Sequence, residues 1–182
     1  MDEREIVAGC LRGGPESYRR LVDAFGPLVM AVALNILGNK EDAEDVSQEV
    51  FLQVFRRLDC YDPARSFKTW LLTIAYRRAI DVIKKKRRFK EFAARAAFDP
   101  ATAPALRAAN PGKPEKLPSP LLKKLSPRER TALCLWANEE YTAAEISQVL
   151  GCSAATARVT LFNARRKVKS LLETSHDVLQ NG

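Results

Sequence analysis

The stretch that decides the fold is TAAEISQVLGCSAATARVTLFNARRKVKSLL, residues 142–172. Thr142 and Glu145 have the spacing of a capping box, so a short helix is expected to begin here. Gly151 is suited to end that helix, and Ser153 can cap the next one through its hydroxyl. The second helix is longer and carries nearly all the positive charge of the stretch. This spacing is that of a helix-turn-helix.

A helix-turn-helix binds duplex DNA by presenting its second helix to the major groove, while the first helix fixes the angle. The expected packing face of the first helix is Ile146, Val149 and Leu150, with counterparts among Val159, Leu161, Val168 and Leu171. Lys167 and Lys169 suit phosphates. An amphipathic hairpin with a merely solvated basic face is the alternative. The candidate DNA contacts are Ser153, Ala155, Thr156, Arg158, Val159, Phe162, Asn163, Arg165 and Arg166.

Composition indicates a globular protein of one medium or two small domains. Of the 182 residues, 46% are hydrophobic and 29% are charged. The longest apolar run, at residues 27–34, is too short to cross a bilayer, and the acidic start lacks the basic region of a signal peptide. We therefore expect a cytoplasmic location and no membrane insertion.

The cysteines show no spacing typical of metal ligands. Cys10, Cys60, Cys134 and Cys152 stand far apart, and the single histidine, His176, has no ligand set around it. A zinc site is not expected. Reduced, mostly buried thiols fit this pattern, with a redox-sensing pair as the alternative.

Charge is distributed unevenly along the chain. The net charge of +8 divides into −4 for residues 1–60, +9 for residues 61–120 and +3 for residues 121–182. An acidic first third and a basic middle indicate two kinds of partner, namely a protein for the acidic face and a polyanion such as nucleic acid for the basic one.

Helical periodicity dominates, and no segment alternates long enough to predict a strand. The expected class is all-α, with two small helical domains joined by a flexible linker rich in proline and alanine. Helices are predicted over residues 15–37, 40–58 and 66–88. The predicted units are an N-terminal domain (1–88), a linker (89–120), a helix-turn-helix domain (121–174) and a polar tail (175–182).

The helix predicted at residues 40–58 has an apolar stripe and a separate acidic face. Asp42, Asp45 and Glu49 lie on that acidic face. Three carboxylates suggest a metal, but hard cations need ligands that converge from different elements. A protein-docking face is the favoured interpretation.

The helix predicted at residues 66–88 combines aromatic side chains with positive charge. Tyr61, Phe67, Trp70 and Tyr76 adjoin a run of lysine and arginine. Rings that stack on bases and cations that follow the backbone are what single-stranded nucleic acid requires. An alternative interpretation fits these residues equally well: the aromatic side chains belong to the core, and the basic run is a solvated helix end.

Two pairs of motifs together resemble the extracytoplasmic-function group of bacterial sigma factors, in the sigma-70 family. DAEDVSQEVFLQVFRRL with YDPARSFKTWLLTIAYRRAIDVIKKKRR is similar to sigma region 2. LSPRERTALCLW with AAEISQVLGCSAATARVTLFNARRK is similar to region 4. The resemblance covers about residues 5–88 and 121–172.

The resemblance implies a subunit of RNA polymerase holoenzyme. Docking on the core enzyme would use Asp42, Asp45, Val46, Gln48, Glu49, Phe51, Leu52 and Phe55. The melted minus-ten strand would contact Tyr61, Asp62, Phe67, Lys68, Trp70, Tyr76, Arg77, Arg78, Lys84 and Lys85. The helix-turn-helix would read the minus-thirty-five duplex and rest on the flap of the second-largest subunit. An anti-sigma factor is a further implied partner, whereas no catalytic residue, metal or cofactor is implied.

The sequence departs from the family pattern at several positions. Arg77 stands where the family often has asparagine, Thr160 and Asn163 stand where arginine is frequent, and Glu140 replaces the usual glycine before the turn. The promoter sequence is therefore not defined by the resemblance.

Two rival functions remain. A stand-alone repressor or activator would explain residues 121–172 but leave the region 2 pattern as coincidence. A helical metal-dependent nuclease would use Asp42, Asp45 and Glu49.

Overall fold

The computed structural model describes residues 3–96 and 124–180, and within these ranges it contains helices and no strand. The predicted all-α class is confirmed. The helices are α1 (Glu3–Leu11), α2 (Pro15–Leu37), α3 (Lys40–Arg57), a 3-10 turn (Leu58–Cys60), α4 (Phe67–Ala96), α5 (Pro127–Glu139), α6 (Ala143–Leu150) and α7 (Ala154–Gln180).

An N-terminal unit forms where α2, α3 and α4 pack on one another and α1 lies against α2. Val46, Val50 and Val54 recur at every fourth residue and form the valine stripe of α3, which is fully buried in this core as that spacing predicts. Burial of each such side chain contributes about 1.5–3 kcal/mol. The largest fully buried side chains here are Leu21, Val29, Val32, Ile36, Val46, Val50, Val54, Phe67, Leu71 and Leu72.

The turn between α2 and α3 follows directly from two adjacent residues. Gly38 takes the left-handed conformation (φ 70°), and its N–H donates to the carbonyl of Leu34 at 2.8 Å. Asn39 then caps α3, because its side-chain oxygen accepts the N–H of Asp42 at 2.8 Å. Together they reverse the chain so that α3 packs on α2.

One helix was not predicted, and two others extend further than predicted. The sequence reading did not identify α1, although Ile6, Val7 and Cys10 recur at helical spacing and are buried. α4 extends to Ala96 rather than Arg88, because no proline or glycine interrupts it there. α7 likewise continues to Gln180, through most of the predicted polar tail. The remaining linker residues, 97–120, and the first three residues of the predicted helix-turn-helix domain, 121–123, lie outside the described ranges.

A C-terminal unit contains α5, α6 and α7; the predicted capping box at Thr142 is present, and Ser126 forms a second one. Ser126 and Glu129 exchange reciprocal bonds at the start of α5, as do Thr142 and Glu145 at the start of α6. Gly151 ends α6 in the left-handed conformation (φ 63°). Each cap contributes about 1 kcal/mol.

The two units are in contact, α2 with α5 and α4 with α6. Asn35 donates through Nδ2 to Sγ of Cys134 at 3.2 Å. The hydroxyl groups of Thr69 and Tyr141 are 3.4 Å apart, and Tyr141 is buried. The contact is therefore partly polar.

α2 is long and apolar enough, by length and composition, to cross a membrane. Its 23 residues would span about 35 Å. In the fold it is instead the central helix, with its buried side chains against α1, α3, α4 and α5. Its first turns also carry Glu16, Arg19 and Arg20, which suits a core helix with a solvated side.

Candidate polymerase and nucleic-acid interfaces

The turn between α6 and α7 sets how the two helices pack on each other. Ile146, Val149 and Leu150 are buried, as predicted for the packing face of α6. The buried face of α7 includes two small, fully buried residues, Ala157 and Ala164, and the predicted packing residue Leu161 is half-buried against the core. Because alanine is small, α7 can approach its neighbouring helices closely at these two positions.

Val159 was predicted as a packing residue as well as a DNA contact, and the packing prediction is wrong. Its side chain is 59% exposed, and Phe162 beside it is 63% exposed. Thr156 and Arg158 are exposed on the same half of the helix. An apolar surface of this kind next to an arginine is suited to contact thymine methyl groups and base edges.

Ser153 acts first as the cap of α7. Its Oγ accepts the N–H of Thr156 at 3.1 Å and lies 2.8 Å from the Thr156 hydroxyl. Ala155 is exposed at the start of the helix, and Asn163 is half-buried. The start of α7 is thus fixed before any ligand is present.

The cations in the second half of α7 have distinct surroundings. The Arg165 guanidinium lies over the Trp136 ring, 4.5 Å from its centroid, and Arg166 lies 5.9 Å from that of Phe162. Lys167 donates to both carboxylate oxygens of Glu129, at 2.8 and 3.0 Å. Lys167 therefore ties α7 to α5, and the phosphate role predicted for it stays a prediction.

Glu129 is buried, and its pKa reflects that ion pair. Burial alone would raise the pKa of this carboxyl, but hydrogen bonds from Lys167 and Ser126 outweigh it and leave the pKa below its usual value. The charged pair is therefore part of the fold at neutral pH.

The predicted docking face of α3 is smaller than expected. Val46 and Phe51 are core residues, 1% and 7% exposed, so their assignment as docking contacts is wrong. Phe55 is half-buried against the edge of Tyr18, with ring centroids 4.8 Å apart. Leu52, in contrast, is 54% exposed. The exposed members of the face are Asp45, Gln48, Glu49 and Leu52.

Two acidic residues of α3 are paired with basic residues of α4. Lys86 is in contact with Asp42, and Arg78 lies 3.9 Å from a carboxylate oxygen of Glu49. Asp45 is exposed and forms no ion pair that the structure records among its described residues. Asp45 is therefore the carboxylate most available to a partner.

Phe67 was predicted to contact DNA, and this is wrong. Its side chain is fully buried, and its ring packs on Phe25 and Tyr61 at 5.3 Å and on Trp70 at 5.6 Å. Proximity of an aromatic to a basic run does not show which side of the helix it occupies. Phe67 instead supports the rings that are nearer the surface.

The loop before α4 is held by its own side chains. The Tyr61 hydroxyl donates to the carbonyl of Arg65, and the side chain of Asp62 accepts the N–H of Ala64 at 3.0 Å. Asp62 also lies 3.4 Å from Arg65. Burial, followed by nearby Glu3 and Asp62, raises the pKa of Tyr61. The loop presents an ordered edge beside Trp70.

A pocket of about 420 Å³ opens between α3 and α4. It combines three guanidinium groups, one carboxylate, one amide and an indole, and its size suits one unstacked nucleotide. Trp70, Arg77 and Arg78 are brought together here as predicted for one site. The lining residues are Gln53, Arg57, Trp70, Thr73, Ile74, Arg77, Arg78 and Asp81.

Gln53, Arg57 and Asp81 were not identified from the sequence. Gln53 and Arg57 are four residues apart on α3, so they share a face, and Asp81 follows Arg77 at the same interval on α4. The sequence shows that each pair lies on one face of its helix, but only the packing of α3 on α4 shows that these two faces meet.

Of the remaining residues predicted to contact the minus-ten strand, some are exposed and others are partly buried. Lys84 and Lys85 are exposed. Lys68 is in contact with Glu139 of the C-terminal unit and lies 5.7 Å from the ring centroid of Tyr141. Tyr76 is half-buried, and burial raises its pKa. In this arrangement a DNA phosphate would compete with Glu139 for Lys68.

An apolar groove of about 320 Å³ lies between α5 and α7. Leu133, Trp136, Val168 and Leu172 form its floor, while charged residues stand at its rim. Trp136 and Leu172 are exposed large hydrophobics. Such a surface suits an apolar segment of a partner protein.

The four cysteines are free, and no group of three metal-ligating side chains occurs among the described residues. Cys10 and Cys134 are buried, Cys152 is half-buried and Cys60 is exposed. Burial raises the pKa of Cys134, which lowers its reactivity as a thiolate.

Comparisons with known proteins agree on one family. Residues 21–89 match Sigma-70 region 2, and residues 121–168 match Sigma-70 region 4. Over 162 residues the chain is 31% identical to the RNA polymerase sigma factor CarQ of Myxococcus xanthus, covering 88% of this chain and 91% of CarQ. Two other curated relatives, also RNA polymerase sigma factors, are matched over only 41% and 44% of their own length.

Two solved structures of similar fold are complexes, and one of them contains a sigma factor. CnrH, in complex with the cytosolic domain of CnrY, aligns with a TM-score of 0.69 at 24% identity, over 94% of this chain and 97% of that one. RpoE, in complex with the anti-sigma factor NepR from Bartonella quintana, aligns at 0.66 and 18%, over 87% and 98%. At these identities the likeness shows the fold alone. Since the two Sigma-70 regions match more than half of the chain and CarQ is matched over nearly its whole length, the chain belongs to the sigma-70 family, in its extracytoplasmic-function group of RNA polymerase sigma factors.

Proposed function

We propose that the chain is an alternative sigma factor that binds core RNA polymerase, recognises promoter minus-ten and minus-thirty-five elements, and promotes DNA melting to start transcription of a specific gene set. The observation that supports this proposal is that two separate surfaces of one chain have a chemistry suited to nucleic acid. The pocket between α3 and α4 suits an unpaired nucleotide. The start of α7 is open and suits the major groove of a duplex.

Core docking uses the exposed patch of α3, namely Asp45, Gln48, Glu49 and Leu52. An exposed leucine flanked by carboxylates fits a partner surface that offers both an apolar contact and basic side chains. The groove between α5 and α7 provides a second contact, for the flap of the second-largest subunit. Two separate contacts raise the overall affinity through effective concentration.

Promoter opening follows from preferential binding of the unpaired strand. Stacking of one base on an aromatic side chain contributes about 1–3 kcal/mol, and Trp70 is the aromatic side chain that lines the pocket. Arg57, Arg77 and Arg78 suit the adjoining phosphates. The polymerase performs the chemistry, so this chain acts as a binding subunit without catalytic residue or cofactor.

Reading of the minus-thirty-five element uses the first half of α7. Arg158 and Thr156 are exposed, as are Val159 and Phe162 beside them, and in the proposed complex these four side chains face the major groove of the duplex. Arg165 and Arg166 lie further along the helix and suit phosphates. This division separates sequence readout from positioning contacts.

The proposed setting is the cytoplasm, where core polymerase and promoter DNA are found. A further proposed partner is an anti-sigma factor, since RpoE, which shares the fold, was solved with one. An anti-sigma factor that occupies the α3 patch would block core docking.

Transcription with purified core polymerase tests the proposal. Genomic DNA is transcribed with core alone, with core plus the chain, and with core plus the variant Asp45→Ala/Leu52→Ala, and the 5′ ends are mapped. We expect new start sites with the chain and about tenfold fewer such transcripts with the variant at limiting concentration, as two docking contacts are lost. Glu41→Ala, exposed at the start of the same helix, is the matched control.

The rival with a specific observation in its favour is a stand-alone regulator, because α7 is open without any partner. A repressor or activator would alter the strength of existing start sites without creating new ones. No new start site, together with duplex binding independent of polymerase, would establish that rival.

A further inference from the structure

Arg78 lies at the boundary between the two faces that the proposed function assigns to different partners. It lines the pocket between α3 and α4, and it also lines a neighbouring depression of about 390 Å³ on the exposed side of α3. Gln53 and Arg57 are common to both. Glu49 and Leu52, which belong to the docking patch, line only the second depression.

Two acceptors on α3 hold the Arg78 guanidinium. Nε donates to Oε1 of Gln53 at 2.9 Å, and Nη1 lies 3.9 Å from Oε2 of Glu49. The first contact is a well-formed hydrogen bond, whereas the second is a longer ion pair between side chains that are about half exposed. The two acceptors therefore play different parts.

Gln53 orients the Arg78 guanidinium without neutralising its charge. An amide oxygen is neutral, so it orients the guanidinium while leaving its full positive charge for a phosphate. With Nε bound, the outer nitrogens remain to form the paired bonds that arginine makes with phosphate oxygens. A long side chain that is already oriented loses less freedom when it binds.

Glu49 has the opposite effect. Its carboxylate competes with a phosphate for the same guanidinium and partly neutralises it. A core subunit that binds Glu49 through a basic side chain would remove this competitor and leave Arg78 free for DNA. By thermodynamic reciprocity, DNA that binds Arg78 would in turn release Glu49 for the core enzyme.

We propose that Gln53 is a positioning residue that aims Arg78 at the minus-ten strand, and that Glu49 couples core docking to single-strand binding through the same guanidinium. The inference rests on the proposed function, because it joins the docking patch to the strand pocket. It assigns a role to Gln53 that the motif resemblance did not indicate.

A double-mutant cycle tests the positioning role. The variants Gln53→Ala, Arg78→Ala and the double variant are assembled with core polymerase, and binding of a fluorescent oligonucleotide of twelve thymidines is measured against salt concentration. We expect about threefold weaker binding for Gln53→Ala and about fivefold to tenfold for Arg78→Ala. The double variant should be no weaker than Arg78→Ala, because Gln53 acts through Arg78.

The salt dependence separates a positioning role from a general loss of structure. Arg78→Ala should reduce the slope of log affinity against log salt by about 0.7, the value for one phosphate contact on a single strand. Gln53→Ala should reduce it by part of that amount and leave core affinity unchanged. Gln148→Ala, an exposed glutamine of α6, is the matched control and should change neither quantity.

A second pair of variants tests the coupling. In the chain without polymerase, Glu49→Gln should raise affinity for the oligonucleotide by about twofold more than Glu41→Gln, which removes an equal charge from the same helix. At saturating core polymerase the difference should disappear, since the core enzyme already occupies Glu49. Equal gains from both variants without polymerase would overturn the coupling.

The outcomes distinguish the inference from the proposed function. If the losses of Gln53→Ala and Arg78→Ala multiply in the double variant, Gln53 acts independently of Arg78 and the positioning role is overturned, while the proposed function stands. If neither the chain nor its complex with core polymerase binds the oligonucleotide, the proposed function is overturned and the inference with it.

Discussion

The two long basic helices present their positive charge in different ways. On α4, Lys68, Arg78 and Lys86 are each paired with a carboxylate on another helix. On the first half of α7, Arg158 is exposed beside apolar side chains. Arg158 can therefore bind a ligand as it stands, whereas these three cations of α4 must first exchange partners. In the helix proposed to bind the melted strand, part of the positive charge is thus neutralised by carboxylates of the protein itself.

Substitution of two neighbouring aromatic residues on α4, Phe67 and Trp70, gives the largest expected difference in the free energy of unfolding. Phe67→Ala removes a fully buried ring and should lower the free energy of unfolding by about 3–5 kcal/mol. Trp70→Ala, at the pocket, should lower stability far less and weaken single-strand binding by about 1–3 kcal/mol. Chemical denaturation and oligonucleotide titration of both variants measure this. Equal stability losses would mean that Trp70 is also a core residue.

Arg158 tests whether α7 reads sequence. Arg158→Ala should weaken binding to the best minus-thirty-five duplex by about 1–3 kcal/mol and relax base preference at one position, if the guanidinium binds guanine. Arg166→Ala should instead weaken all duplexes alike and reduce the salt slope by about one unit. Binding selections with randomised duplexes distinguish the two. A uniform loss for Arg158→Ala would make it a phosphate contact.

The pair of Glu129 and Lys167 tests what holds α7 in place. Because the folded pKa of Glu129 is below its usual value, its contribution to stability is present above about pH 4.5 and is lost as pH falls through the folded pKa. Glu129→Gln should cost about 1 kcal/mol at pH 7, with loss of charge at the cap and at Lys167.

The pH dependence of that variant is the sharper observation. Denaturation between pH 3 and pH 7 should show a smaller change in stability for Glu129→Gln than for the unmodified chain. Glu41→Gln, at an exposed position on α3, serves as control. An unchanged pH profile in Glu129→Gln would show that the carboxylate contributes nothing to the fold.

The smallest expected effect concerns the turn before α6. Glu140 occupies the left-handed region at φ 55°, where a side chain is strained and glycine is not. Glu140→Gly should therefore raise the free energy of unfolding by about 0.5–1 kcal/mol, measured by denaturation. A loss of stability would mean that the glutamate side chain has a stabilising contact.

Much of the local structure could be predicted from the sequence because its signals are local. The capping boxes at Ser126 and Thr142 and the turn at Gly151 each depend on residues within four positions. The valine stripe of α3 depends only on helical spacing. Glu140 stands where the family usually has glycine, and its backbone still adopts the left-handed conformation that glycine favours.

The interfaces were less predictable because they depend on which faces meet. A basic run beside aromatics does not show that Phe67 points inward, nor that Gln53 of α3 meets Arg78 of α4. The contact of Lys68 with Glu139 joins residues far apart in sequence, and no local pattern indicated it. α1 was missed because nine residues between an acidic start and a glycine pair give a weak periodic signal.

Permanganate reactivity of a promoter found by the transcription experiment tests the central claim most directly, because permanganate oxidises unpaired thymines. With core polymerase and the chain, we predict reactive thymines in the minus-ten region. With the variant Trp70→Ala/Arg77→Ala, these should disappear while nuclease protection of the minus-thirty-five region persists. A minus-ten region that stays paired with the unmodified chain, despite a bound minus-thirty-five element, would contradict the account.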